Sequence, residues 1–389
     1  MRQPWLSSTL AILNTTLTSL FLSSMLDASA ATALCSATNK CPQSAPCCSS
    51  AGYCGSTGPY CLAECNPLGS LSPSSCAPMP ACRDATIDFT DGGTHWTPLA
   101  TYKGDASVAP LTLDSGDVKV VRGQGAKLLL TKKNQDVGTV LSTTRYMVSR
   151  FAPRPARPDK PHNRPPADVH PGLGRTRTHH PTQQYYGSVT ATLQHPNRRG
   201  VVAAFILMSP TADEIDYELT TGSPSHVETN AFYRGTTNGD HNSVTLPLSA
   251  EGFDTSDFHD YTISWTPSTI IWSIDGKTKR SFARSSHRSK LKSFYKYPAT
   301  PARIQLSIWC AGCPGNAQGT RQWSGGALDW SRADSKDEAF EVTVKKLAIS
   351  CDTPSKLLGA KAFAYSSSRT DARSGEPSII SSDRPTTVG

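Results

Sequence analysis

"VVAAFILMSPTADEIDYELT", Val201 to Thr220, decides how this chain is read. An apolar run, "VVAAFILM", precedes "DEIDYE", Asp213 to Glu218, which sets four acidic side chains in six positions. Alternate side chains of a strand share a face. Glu214, Asp216 and Glu218 therefore point one way, while Ile215, Tyr217 and Leu219 point into a core. A solvated outer face would also produce this alternation. Three carboxylates in one row repel each other, however. That costs stability unless the row has a use, and it drives at least one pKa upward.

From Ala85 onward the strand signature repeats. Short alternating runs such as "VKVVRG", "AKLLLTKK", "HDYTISWT", "TIIWSIDGK" and "FEVTVKKLAI" are separated by Gly, Asp, Asn and Pro. Many of their residues are β-branched or aromatic, "IDGK" supplies an Asp-Gly hairpin turn, and no long 3.6-residue period competes. About a dozen such runs predict an all-β fold, a two-sheet β-sandwich jelly roll over 85–352. Trp265, Trp272 and Trp330 are expected in its core.

The sequence ahead of this domain is of a different kind. Nine of the twelve cysteines fall between Cys35 and Cys82, which predicts a small disulfide-rich module over 31–65. Its Gly, Ser and Pro residues cannot build a core, so disulfides must hold it. A Pro/Ser linker, 66–84, follows, with a local Cys76–Cys82 bridge as a plausible pairing. Cys310 and Cys313 either bridge locally or pair elsewhere. Residues 1–30 read as a secretory signal: Arg2, an apolar stretch from Leu10 to Leu26, and the small residues Ala28-Ser29-Ala30. A membrane anchor would need about 20 apolar residues. Oxidised thiols and the lack of a ligand-like His spacing predict no metal and no cofactor. The tail, 353–389, is polar, is expected to be disordered, and carries no glycolipid-anchor signal.

One block breaks the pattern. Val148 to Gln184 holds eight Pro, four His and a net charge of +5 out of the chain's +8. It reads as a disordered basic insertion. An arm for an anionic polymer is one account. The preferred account is a retained intron, because removing the block joins "LSTTRYM" to "YYGSVTATL", two ordinary strands. "VS" can be encoded by GTAAGT and the final Gln by CAG, the usual intron borders. With most of the excess charge in this block, no nucleic-acid partner is expected.

Residues i and i+4 of a strand lie about 13 Å apart at Cα. If Glu214 and Glu218 lean over Asp216, their carboxyls can approach the ~5–5.5 Å of a retaining glycosidase. "DEIDYE" resembles the catalytic strand of glycoside hydrolase family 16, in particular its fungal Crh-type chitin–glucan transglycosylases. "GTVLSTTRYM", "GVVAAFILMS", "ETNAFYRG", "DYTISWTPSTIIWSIDGK" and "IQLSIWCAGCPGNAQGTRQWSGGALDW" carry the same resemblance. It implies Glu214 as nucleophile, Asp216 as assisting acid and Glu218 as general acid/base. It further implies sugar contacts at Gln305, Trp309 and Thr320, with Asn230, Phe232, Arg234 and Trp323 as further candidates. Trp309 and Trp323, flanked by Gly-rich sequence, are expected in the cleft, where an indole can stack on a sugar ring.

"CCSSAGYCGSTGPYC", Cys47 to Cys61, resembles a hevein-type chitin-binding module. Ser49, Tyr53 and Tyr60 match its sugar-holding positions, whereas Ala51 stands where an aromatic is usual. The resemblance implies a secreted cell-wall protein, a monomer acting on chitin and β-glucan, with no membrane-spanning segment.

Overall fold

The computed structural model describes residues 34–147, 186–195, 197–220, 225–236, 242–288, 295–334, 338–352, 361–370 and 377–387. The signal stretch 1–30 and the block 148–184 lie outside them. Alternation of apolar and polar side chains folds the chain from Ala85 into two sheets that bury one face each against the other, the jelly-roll sandwich expected. The front sheet has eight strands among the described residues. In spatial order they are Val244–Pro247, His226–Phe232, Glu214–Thr220, Val201–Met208, Arg303–Cys310, Thr139–Thr143, Leu111–Ser115 and Trp96–Pro98. The back sheet runs Lys277–Ala283, Thr269–Ile274, His259–Trp265, Tyr186–Gln194, Phe340–Asp352, Gly125–Leu130 and Asp117–Val121, with Ala85–Asp88 also paired to Phe340–Asp352.

Between the sheets lie Ile215, Tyr217 and Leu219 with Phe205, Tyr261, Trp265 and Trp272, all fully or almost fully buried. Burying each such side chain contributes roughly 1.5–3 kcal/mol. Trp330 is half-buried and packs on Phe340, ring centroids 5.4 Å apart. The junction on either side of the 148–184 block is close: the Met147 methyl lies so near Gly187 that a β-carbon there would meet it at 3.0 Å. A short direct connection needs that proximity.

All twelve cysteines are paired. Cys35–Cys48, Cys41–Cys54, Cys47–Cys61 and Cys65–Cys76 staple the front module. The expected Cys76–Cys82 bridge is therefore corrected. Cys76 belongs to the module, and Cys82 instead closes on Cys351 across a separation of 269 residues. Cys310 and Cys313 take the local option.

The linker and the tail also differ from expectation. Ser70, Cys76, Met79 and Ala81 are buried, so 66–84 is packed chain rather than a loose tether. Its Met79–Pro80 pairs with Ala362–Thr370, which pairs in turn with Pro377–Ser382. The tail is thus strand in its described parts, not disordered. Phe363, Tyr365 and Ile379 stack on Met79, Ala81 and Tyr146, an apolar face at a spacing of two that the surrounding serines conceal. Arg384 donates to the carbonyls of Ser74 and Cys76, 3.3 Å each, and the Tyr146 hydroxyl to that of Ala63. These contacts latch the module onto the sandwich.

Candidate active site

Strand pairing sets out the outer face of the front sheet as rows. Glu214 lies level with Phe232 on one side and Met208 on the other, beyond which stands Arg303. Asp216 lies level with Asn230 and with Ile206, Gln305 and Ser142. Glu218 shares its row with Glu228, Ala204 and Ser307. Side chains in register on neighbouring strands share a face. The three acids therefore share one face, as their alternation predicts, and Asn230, Phe232 and Gln305 line the same surface. Gln305 Nε2 donates to Ser142 Oγ at 3.2 Å, which fixes its amide two strands from Asp216.

Trp309 stands at the far end of that surface, opposite Val202. It is 6% exposed because Trp323 stacks on it, centroids 6.2 Å apart and planes inclined by 28°. Trp323 and Thr320 share the short helix Gln318–Trp323, and the Cys310–Cys313 bridge shapes the turn before it. The pair thus divides its work: Trp323 offers the accessible ring and Trp309 backs it. Arg234 sits just beyond Phe232 in a left-handed turn, φ +53°, with its guanidinium over the Tyr233 ring.

Burial and mutual repulsion set the electrostatics. Glu214 is 9% exposed and Asp216 1%. Glu214 Oε1 and both Asp216 oxygens are buried without a hydrogen-bond partner of good geometry among the described residues. Burial first, and the charge of Glu218 second, push Glu214 up to about 8. Asp216 is raised well above its usual value by burial and then by Glu214, while the Arg280 charge and the Asn230 backbone N–H oppose the rise. The row therefore cannot carry three full charges at neutral pH, and at least one of its buried carboxyls keeps its proton.

The strand that carries the acids is also gripped from behind. Trp272 Nε1 donates to the Asp216 carbonyl at 2.9 Å, and the Tyr217 hydroxyl to the Ser273 carbonyl at 2.9 Å. Arg280 lies over Trp272, 4.5 Å from its centroid, and donates to the Thr229 carbonyl at 2.7 Å. The sequence reading placed Trp272 and Tyr217 in the core but not these bonds, nor Arg280, because the contacts join positions some fifty residues apart. Arg303 was missed too, although a charge inside the apolar strand "RIQLSIW" was a visible signal. It is 2% exposed, pairs with Asp114 at 3.2 Å and reaches Glu64 of the disulfide module at 3.8 Å.

In that module, Tyr53 is 44% exposed beside Leu34. Ser49 Oγ accepts the Tyr53 N–H at 3.2 Å, and the Tyr60 ring lies so close over Gly55 that no β-carbon fits there. The three expected sugar-holding residues thus fall on one small fold held by its own bridges. The Cys35, Cys41 and Cys54 sulfurs cluster, but all are in disulfides and offer no thiolate to a metal.

Asp216 supplies a test through stability. Its folded-state pKa lies above the unfolded value of 3.8, so the folded state holds its proton longer. Stability is then fullest below about pH 4 and declines as pH rises toward the folded value. Asp216→Asn removes that penalty. The variant is expected to be more stable than the parent near pH 8 by about 1–3 kcal/mol, with the difference vanishing near pH 4 and activity reduced at both. Denaturant melts at the two pH values check this.

Comparison with known proteins agrees with this geometry. The profile of Glycosyl hydrolases family 16 matches residues 174–325. Crh-like protein 2 of Aspergillus fumigatus is 34% identical over 85% of this chain and 66% of its own length. Crh-like protein 3 of Botryotinia fuckeliana is 33% identical over 90% and 69%. Congo red hypersensitive protein 2 of Saccharomyces cerevisiae is 32% identical over 87% and 64%, so the chain spans about two thirds of these relatives. The structure of Crh5 transglycosylase in complex with NAG superposes with a TM-score of 0.56 at 25% identity, covering 82% of this chain and all of that one. An acid row on the outer face of a jelly roll and a third of the sequence shared with such proteins lead to one statement: the chain belongs to glycosyl hydrolases family 16, among its Crh-like members.

Proposed function

We propose that this protein is a secreted fungal cell-wall transglycosylase that cleaves chitin with retention and passes the glycosyl unit to chitin or to β-1,3/β-1,6-glucan. The observation that carries the reading is the carboxyl row Glu214–Asp216–Glu218 on the outer face of the front sheet, with Glu214 and Asp216 buried. Glu214 attacks the anomeric carbon while Glu218 gives its proton to the leaving oxygen, leaving a glycosyl ester on Glu214. Glu218, now ionised, takes the proton of an acceptor hydroxyl, which displaces Glu214 and forms the new glycosidic bond. Asp216, kept protonated by its burial, donates to the ionised Glu214 and holds its orientation, while Glu218 carries its own proton. Gln305, Asn230, Phe232, Arg234, Thr320 and Trp323 hold the sugar chain, and Ser49, Tyr53 and Tyr60 bind chitin beside it. The chain acts as a monomer in the wall.

Water as acceptor would make the same site a hydrolase, since the carboxylates serve both outcomes; a non-catalytic wall lectin would have no use for a self-repelling row. That the Crh5 relative is a transglycosylase solved with NAG favours transfer. The test incubates the protein, with and without 148–184, with chitin oligosaccharides and a fluorescent β-1,3-glucan oligosaccharide. Label moving into longer products is the expected result. Shortened chitin without label transfer would favour hydrolysis, and unchanged substrates a binding protein.

A further inference from the structure

The fourth acid of "DEIDYE" has no place in the mechanism above. Asp213 precedes the nucleophile directly, yet it points away from the row and is 2% exposed. Four donors converge on its carboxylate. Oδ1 accepts the backbone N–H of Arg234 at 3.0 Å. Oδ2 accepts the N–H groups of Ala299 and Thr300, at 2.8 and 3.1 Å, and the Thr300 hydroxyl at 2.8 Å. Thr300 Oγ1 also lies 2.7 Å from both Ser209 Oγ and Thr211 Oγ1. The Asp213 carbonyl accepts the Ser209 N–H, and Ala212, at φ +63°, accepts the Gly235 N–H.

These partners come from three places. Ser209 to Asp213 is the turn into the catalytic strand. Arg234 closes the strand that carries Asn230 and Phe232, and Ala299–Thr300 leads into the strand that carries Gln305 and Trp309. One carboxylate thus ties the nucleophile's end of three cleft strands together. Arg234 is the partner that most needs holding, because an arginine at positive φ is strained unless its surroundings fix it. Each of the four groups donates, so the tie needs two accepting oxygens.

We propose that Asp213 is a positioning residue for this site: its carboxylate holds the Arg234 turn in the left-handed conformation that sets Arg234 and Phe232 beside Glu214 for sugar binding. The proposal rests on the cleft reading given above. It does not involve Asp213 in proton transfer.

Asp213→Asn keeps the shape and turns one accepting oxygen into a donor. The amide oxygen goes to the three donors at Ala299 and Thr300, and the amide nitrogen is left facing the Arg234 N–H. Amide hydrogen exchange of the full chain is expected to show the Arg234 amide losing its protection while those of Ala299 and Thr300 keep theirs. In the transfer assay, KM for chitin oligosaccharides is expected to rise about tenfold, the scale of one charge-assisted hydrogen bond, with kcat little changed. In an Arg234→Ala background the same change is expected to raise KM hardly at all, because the residue being positioned is gone.

An Arg234 amide that stays protected in the variant would overturn the proposal, as would a KM effect undiminished in the Arg234→Ala background. Activity absent from the parent protein would instead count against the transglycosylase reading, while exchange would still report on the tie. Should Asp213→Asn fail to fold, Thr300→Val removes one donor and keeps the carboxylate. It leaves the Oδ1 bond to Arg234 in place, so the Arg234 amide is expected to stay protected and KM to rise far less than tenfold; an Arg234 amide that loses its protection, or a loss of kcat with unchanged KM, would contradict it.

Discussion

Glu214→Gln is expected to abolish transfer and hydrolysis together, by about 10⁴-fold or more, the scale seen when a covalent nucleophile is removed. The amide keeps the size of the side chain and its place between Met208 and Phe232. It cannot form the glycosyl ester. Because the parent carboxyl is raised to about 8 by burial and by Glu218, the neutral amide also relieves a repulsion. The variant should therefore melt no lower than the parent at neutral pH and should still bind chitin oligosaccharides. A variant that lost activity through unfolding would show the opposite. Label-transfer assays beside thermal melts and oligosaccharide titration check all three expectations, and retained turnover would remove Glu214 from its role.

Opening the Cys82–Cys351 bridge should have the largest effect on stability. It joins residues 269 apart and so closes nearly the whole sandwich into one loop. The chain-entropy relation assigns a loop of that size about 5.5 kcal/mol, comparable with the entire net stability of many domains. Cys310–Cys313, only 3 residues apart, is worth about 2 kcal/mol on the same relation. A Cys82→Ser/Cys351→Ser protein is therefore expected to unfold at much lower denaturant, whereas Cys310→Ser/Cys313→Ser should chiefly disturb the turn before Trp323 and weaken sugar binding. Denaturant midpoints of the two variants, compared with the parent, decide the order. Equal midpoints would mean that packing and not closure holds the sandwich.

The acid row and the core were legible because both are local. Period-two alternation places Glu214, Asp216 and Glu218 on one face whatever the rest of the chain does, and it sends Tyr217 the other way. Gln305 was assigned to the site only through the family resemblance, because nothing local says that its strand lies two places from the acids. What lay out of reach depends on distant segments meeting. Nothing near Cys76 says that Cys65 comes within bonding distance, and nothing near Trp272 says that its N–H finds the Asp216 carbonyl. Asp213 was visible as a fourth acid, but the partners of its carboxylate, Arg234 and Ala299–Thr300, lie in two segments distant from it in sequence. The tail was misjudged for a different reason: the apolar spacing of Phe363 and Tyr365 was present but read as part of a polar, serine-rich stretch.

A module on a loose tether sweeps a volume and engages polymer lying in any direction. Here the disulfide module is latched by Arg384, by Tyr146 and by a strand pair, and its Glu64 reaches Arg303 at the edge of the cleft. Tyr53 and the acid row then keep one bearing and one offset. Under the proposed function the protein is a set square: chitin held at Tyr53 and a chain lying over Asp216 would meet at a single angle, and only crossings of that angle in a fibre network would be offered to Glu214.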